Sequence, residues 1–347
     1  MNIRHDRLRP FISAIFHAAG CDVAEADRIA TRLVEANLVG HDSHGVIRVP
    51  TYVQWLKAGK VRAGQSIQIV FENEAIAVVD GQFGFGQTIG EQAMRLGIEK
   101  CAKHGVSVIA LRNTGHLGRI GDWPLMAAEA GTLSLHFVNT SGAGILVAPF
   151  GGTQRRLSAN PIAAGIPIHG RSPILLDISA CTLAEGKIRV ALNKGVHVPE
   201  NCIIDAQGRP TTDPKVFYAD PPGAILPIAA HKGYGLAFLC EVLAGALTGG
   251  GCSNPEKADK VVNGMLSILL DASFFQKDPD FAAEIERFIA WVKSSAKATP
   301  DGEILLPGEI EDRTKARRSR DGIDIDATTW SQLLSTAQSL GLPAPQP

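Results

Sequence analysis

Between Gly40 and Pro50 the chain reads GHDSHGVIRVP, which gathers His41, Asp42, Ser43, His44 and Arg48 into eight residues. Four chemistries compete for this stretch. His41 and His44 have the H-x-x-H spacing of a zinc site, but such pairs want a third ligand and a stiff helix, and the flanking glycines argue against a helix. Ser43 beside His44 resembles a nucleophile and its base, yet neighbouring residues rarely point at each other and no nucleophile elbow is present. A third reading makes His44 a general acid/base, its charge held by a nearby carboxylate, and Arg48 a two-pronged carboxylate clamp. That pair is what reduction of a 2-oxo acid needs. By residue type alone, a solvated loop whose histidine caps a helix accounts for the stretch equally well.

Further candidates lie downstream. In RNTGHLGRIG, residues 112–121, His116 is placed to line a pocket, and the main chain of Gly118, Arg119 and Ile120 to meet phosphates. AAHKGYG, residues 229–235, sets His231 and Lys232 at the start of an apolar helix, which reads either as a phosphate site or as an ordinary helix start. In LLDIS, Asp177 closes a strand-like run, where a carboxylate orients His44, holds a ribose or caps a turn. The basic run DRTKARRSR reads first as a solvated face; contact with a cofactor phosphate, and hence NADP, is the second reading.

The elements that must position these residues are legible in outline. Apolar residues recur at Ile29, Leu33 and Ala36 on a helix from Glu25 to Val39, stopped by Gly40; Pro50 opens a short helix ended by Gly59. The polar loop is thus pinned between two helices. AIAVVDGQFGFGQTIGEQAMRLGIEKCAKHGVSVIAL reads strand, glycine turn, helix, strand. Its glycines at 81, 84, 86 and 90 imitate a dinucleotide turn, but the spacing is wrong and the next strand ends in Arg112 and Asn113 without a ribose-holding acid. A packed βαβ-like unit is expected instead. From Val106 to Ser179, five or six brief strands with one helix imply a mixed sheet. A loop-rich stretch follows Gly195, then the apolar helix, a strand at MLSILLD and two terminal helices.

With 347 residues, 45% hydrophobic and 20% charged, the chain can bury a real core. A formal net charge of −1 recruits neither nucleic acid nor a membrane surface. The start lacks the pattern of a secretory signal, and GLAFLCEVLAGALTGG, cut by Glu241, is too short to span a bilayer. Six scattered cysteines without a Cys-x-x-Cys pair fit reduced thiols in a cytoplasmic protein.

Seven stretches in order (ANLVGHDSHGVIRVPTYV, RNTGHLGRIGDW, SANPIAAGIP, ILLDISA, GRPTTDP, HKGYGLAFLCEVLAGALTGG and LPGEIE) make the chain resemble the malate/L-lactate dehydrogenase family that lacks the Rossmann fold. Its relatives include sulfolactate, ureidoglycolate and diketogulonate enzymes and piperideine-2-carboxylate reductases; the bacterial hydroxycarboxylate branch looks most similar. The resemblance implies an α+β fold. A large discontinuous cofactor domain, about residues 76–311, would surround a mostly antiparallel sheet, and a mainly helical domain would join residues 1–75 to about 312–347. It implies a homodimer using NAD(H) or NADP(H) on a small 2-oxo/2-hydroxy acid. By the same resemblance His44 is the proton donor, Ser43 and Asp177 relay or orient its proton, and Arg48, His116 and Asn160 contact substrate. Cofactor contacts fall on Gly118, Arg119, Ile120, Leu175, Leu176, Asp177, Ile178, His231, Lys232, Gly308, Glu309, Ile310 and Glu311, and no metal is expected. Where many relatives read Gly-Thr-Asn-Pro, this chain has Ser158-Ala159-Asn160-Pro161, losing a hydroxyl and leaving room for a bulkier substrate. The rivals are a cyclic imine reductase with the same machinery, a zinc hydrolase using His41 and His44, and a non-catalytic dimeric binding protein.

Overall fold

The computed structural model describes residues 1–257, 261–276 and 280–343. Its first half-dozen turns are amphipathic helix. Helix α1 (His5–Ala18) buries Leu8, Phe11, Ile12, Ile15 and Phe16, the i, i+3, i+4, i+7 stripe that 3.6 residues per turn places on one face. Helix α2 (Val23–Leu38) begins where the Asp22 side chain accepts from Glu25 N–H at 2.7 Å and buries Ile29, Ala30, Leu33 and Val34 against α1. Helix α3 (Val49–Lys57) carries Pro50 in its first turn, as read from the sequence.

The far end of the chain completes this core. Ile323 and Ile325, then Leu333 and Ala337 of the helix Ala327–Ser339, pack into the cluster formed by Leu8 to Val61 and Phe85. Asn2–Ile3 pairs antiparallel with Ile323–Asp324, and the rings of Phe11 and Trp330 lie 5.8 Å apart.

A seven-stranded sheet fills the middle. Its strands, numbered along the chain, are β1 (Gln68–Glu72), β2 (Ile76–Asp80), β3 (Val106–Thr114), β4 (Leu133–Gly142), β5 (Ile162–Ile166), β6 (Ile174–Ile178) and β7 (Val261–Leu270). The spatial order is β1-β2-β3-β7-β4-β5-β6, and only the β2–β3 pair is parallel. The mixed sheet expected between Val106 and Ser179 therefore has four strands from that stretch, split in the centre by the late strand β7. Beyond Gly195, the loop-rich segment adds a small sheet of two-residue strands at Ile203–Ile204, Pro210–Thr211 and Ala224–Ile225. No helix of the described residues is long and apolar enough to cross a membrane.

The glycine turn is the crossover of the one parallel pair. Helix α4 (Gly86–His104) links β2 to β3, and each glycine is there for closeness to protein atoms. A Cβ at Gly81 would lie 2.8 Å from Ile89, at Gly84 2.8 Å from Gln65, and at Gly90 2.5 Å from the Trp123 ring. At Gly86 it would come within 2.2 Å of the His116 carbonyl oxygen. The glycines thus press the crossover helix onto the sheet and onto the loop after β3.

Backbone gives way less readily than a side chain. Gly86→Ala is therefore expected to cost about 1–3 kcal/mol, read from the midpoint of denaturant unfolding. A loss under about 0.5 kcal/mol would mean that the 115–118 loop retreats freely.

Candidate active site

Helix α2 ends by turning its last side chain onto the loop that follows. Asn37, 4% exposed, accepts Val46 N–H on Oδ1 at 2.8 Å and donates from Nδ2 to Asp42 Oδ1 at 2.6 Å. The fit leaves no room at Gly45, where a Cβ would lie 2.1 Å from Asn37 Oδ1. Arg318, on helix α9 (Glu309–Asp321), grips Asp42 with two bonds of 2.6 and 3.0 Å. Between these anchors the chain makes two single 3₁₀ turns, Asp42–His44 and Val46–Arg48. The loop is therefore more helical than its glycines imply, because Asn37 and Arg318 supply the partners that a short turn lacks.

Four predicted residues meet on this loop's inner face. Ser43 Oγ is 2.9 Å from His44 Nδ1, which leaves the opposite ring nitrogen, Nε2, for a ligand. The rings of His44 and His116 stack at 5.6 Å and 19°. Arg48 donates from Nε to the Ser43 carbonyl at 2.6 Å, so a carboxylate clamp has its two terminal Nη groups to work with. Behind them Tyr52 Oη is 2.6 Å from His116 Nδ1, and Gln87 donates to that phenol at 3.3 Å.

The electrostatics depart from expectation. Burial first, then the charge of Arg48 with smaller contributions from His116, His41 and Arg119, holds His44 well below the usual imidazole range. The same burial and the same arginine push His116 down to about 3. The carboxylate expected beside His44 is Asp177, and no hydrogen bond joins the two among the described residues. Asp177 Oδ2 accepts Gly121 N–H at 2.7 Å, and its field is shared with His41 and Arg119. Burial raises its own pKa against those partners. The ligand-free site is thus cationic, and His44 rests neutral.

The remaining predicted positions divide. Asn160 is fully buried; its amide donates to Ala237 O at 3.0 Å and Glu241 Oε1 at 2.8 Å while Ser158 Oγ donates to its Oδ1, so the side chain is spent inside the protein. Arg119 is buried against Asp122 at 2.6 Å, which leaves its main chain as the part that can face a ligand. Leu175, Leu176 and Ile178 lie on the edge strand β6, where Leu175 N–H bonds Pro307 O at 3.1 Å. Gly308 sits at φ +98°, with Leu175 N 3.3 Å from where a Cβ would be. Beside this junction is a cleft of about 210 Å³ lined by Arg171, Pro173, Ile174, Leu306, Pro307 and Asp312 among others. Glu309 is tied to Lys293 and Leu306, Glu311 faces His41 at 3.4 Å, and Ile310 is exposed. His231 and Lys232 open helix α7 (His231–Cys240), exposed, in line with the sequence.

In the basic run Arg313 pairs with Glu303, Lys315 with Glu35, Arg318 with Asp42 and Arg320 with Asp321. The zinc reading needs correction. His41 Nε2 faces Glu311 while His44 faces Ser43 and His116, and among the described residues no three His, Cys, Asp or Glu side chains group as a metal site. Sequence reasoning passed over Asn37, Asp42, Arg318, Tyr52 and Gln87. A polar Asn37 at the end of the apolar stripe of α2 was the one signal for them.

Residues 3–334 match the malate/L-lactate dehydrogenase family model. Hydroxycarboxylate dehydrogenase B of Escherichia coli K12 is 42% identical over 340 residues, 97% of this chain and 93% of that one. The structure of sulfolactate dehydrogenase from Methanocaldococcus jannaschii superposes with a TM-score of 0.86 at 36% identity, covering 99% of this chain and 98% of the other. That of delta1-piperideine-2-carboxylate reductase from Pseudomonas syringae pv. tomato gives 0.85 at 28% identity, covering 97% and 100%. The chain belongs to the malate/L-lactate dehydrogenase family. It is an oxidoreductase that interconverts a 2-oxo acid and its 2-hydroxy acid, which removes the hydrolase and binding-protein readings.

Proton-detected NMR of the ligand-free enzyme tests the electrostatics. The His44 and His116 rings are expected to stay neutral from pH 8 down to pH 6, because their pKa values lie below the ordinary ~6.5. A His44 midpoint at or above that value would contradict the cationic surroundings.

Proposed function

We propose that His44 is the acid/base of the reaction, working through Nε2, and that Arg48 holds the substrate carboxylate. The cluster of His44, Ser43, Arg48 and His116 carries this reading. A bound nicotinamide supplies or takes the hydride at substrate C2. Ser43 keeps the imidazole oriented at Nδ1. An arriving carboxylate offsets the charge of Arg48, so the affinity of His44 for a proton rises as the oxo acid binds, and the proton is then at hand for the carbonyl oxygen. In the reverse direction neutral His44 accepts the hydroxyl proton. Asp177 acts at one remove: it fixes Gly121 and balances His41 and Arg119 around the loop.

The cofactor, NAD(H) or NADP(H), would run along Leu175–Ile178 and the turn Gly308–Glu311, with the main chain of Gly118–Ile120 and the start of α7 at His231 and Lys232 as phosphate donors. The cleft at Pro307, the left-handed backbone at Gly118 and Gly308 and the exposed helix start support that path. Ala159 is exposed and lacks a hydroxyl, which favours a bulkier 2-oxo acid. The two apolar clusters, one built from both chain ends and one on the sheet, support division into a helical and a cofactor domain. Cys21, Cys101, Cys181, Cys202 and Cys240 are buried free thiols, which supports a reducing, cytoplasmic setting.

Following 340 nm absorbance with NADH and NADPH against pyruvate, oxaloacetate, phenylpyruvate and a cyclic imino acid tests the reaction and its substrate class. Turnover of an oxo acid is expected. His44→Gln should lower kcat by roughly 10²–10⁴-fold while cofactor affinity stays within about twofold. Turnover of the imine alone would move the chain to the reductase branch, which the 28% identical structure keeps in view. For hydroxy-acid oxidation, which needs neutral His44, kcat/KM should hold level as pH falls to about 6.5 and decline only below it.

A homodimer is part of the same reading. Helix α7 and the π-helical segment Glu241–Ala246 after it leave Phe238, Leu239, Val242 and nearby Leu247 and Phe150 between 41% and 63% exposed. An apolar patch of this kind is ordinarily covered by a partner. The double substitution Phe238→Asp and Leu239→Asp should halve the mass seen by light scattering; an unchanged mass would place the interface elsewhere.

A further inference from the structure

The hydrogen bonds behind His116 favour one arrangement of protons, which leaves Gln87 Oε1 buried without a protein partner among the described residues. Tyr52 is 2% exposed and Gln87 1% exposed, so neither can turn to water for a partner. Gln87 Nε2 lies 3.3 Å from Tyr52 Oη and 3.5 Å from the His116 carbonyl oxygen. Turned over, the amide would set its oxygen against that carbonyl, so the nitrogen faces the phenol and donates to it. A phenol has one proton. With its oxygen accepting from Gln87, that proton goes to the other neighbour, His116 Nδ1, 2.6 Å away.

We propose that Tyr52, set by Gln87, locks His116 in the neutral tautomer with its proton on Nε2, making His116 a fixed hydrogen-bond donor to the substrate carboxylate beside Arg48. The donor half of this rests on the reading of Arg48 as the carboxylate contact; the lock itself does not. Burial keeps both groups neutral at ordinary pH, the phenol pushed up to about 12 and the imidazole down to about 3. Neutrality matters because the His116 and His44 rings are stacked. A charged His116 would repel the proton that His44 must gain, whereas a neutral one leaves the pair a single positive charge, carried by His44 when it is protonated. Tyr52 is thus a positioning residue that acts through His116. Its ring also packs on Phe16, Phe85 and Trp55, contacts that Tyr52→Phe preserves.

The lock is read without substrate. In ¹⁵N-histidine NMR of the whole enzyme at pH 8, His116 should show Nε2 protonated and Nδ1 bare; in Tyr52→Phe and in Gln87→Leu the two tautomers should mix. An Nδ1-protonated His116 in the native enzyme, or a tautomer indifferent to both substitutions, overturns the lock. The donor role is read with the oxo acid. Tyr52→Phe should raise KM up to about tenfold, the reach of one hydrogen bond, with kcat changed less. His116→Phe should raise KM similarly or more, and His116→Gln, whose amide N–H falls near Nε2, should recover most of it. No recovery by His116→Gln, or native KM in His116→Phe, overturns the donor role. Native enzyme inert toward every oxo acid would instead defeat the functional reading and with it the donor role, while the tautomer remained measurable.

Discussion

The two-pronged bond from Arg318 to Asp42, with Asn37 beneath it, is the constraint on which the active site rests. A ten-residue connection bearing two histidines, a serine and an arginine has little apolar surface with which to hold itself in place. Its order comes from outside: an asparagine at the end of one helix and a guanidinium from another, 276 residues away in sequence, satisfy its backbone and its one acid. The proposed acid/base and clamp hang from that frame, Ser43 and His44 on its first turn and Arg48 on its second.

The second theme is charge balance. The charge of Arg48 dominates beside His44, and nearby carboxylates are engaged elsewhere: Asp42 by Arg318, Asp122 by Arg119, Asp177 by a backbone N–H. Such a site attracts an anion and is incomplete without one. The depressed affinity of His44 for protons belongs to that waiting state. Preorganisation here means that the protein provides the dipoles and cations while the substrate brings the missing negative charge.

Much of the frame was legible in the sequence because it obeys local rules. The apolar stripe of α2, the stop at Gly40 and the start at Pro50 depend only on neighbours in the chain, and so does the strand–helix–strand unit around α4. The false dinucleotide turn was rejected on spacing, and the structure supplies the reason for its glycines in Ile89, Trp123 and the His116 carbonyl. What stayed hidden was non-local. Nothing in MLSILLD tells that β7 slips between β3 and β4, and nothing in a basic run says which arginine will find Asp42. The surroundings of His44 were hidden for the same cause: burial first, then the charge of Arg48, lowers its pKa, and only the fold assembles them. Nor does the sequence show that the Asn160 amide binds Glu241.

The closure of the helical core by both ends of the chain also sets an order of events during synthesis. The segment bearing His44 is made within the first fifty residues, yet its core lacks Ile323, Leu333 and Ala337, and Asp42 lacks its arginine, until those residues, far along the chain, have been made. The sheet waits in the same way for β7, the late strand at its centre. A chain broken off before Arg318 would carry His44 without the pair that holds Asp42.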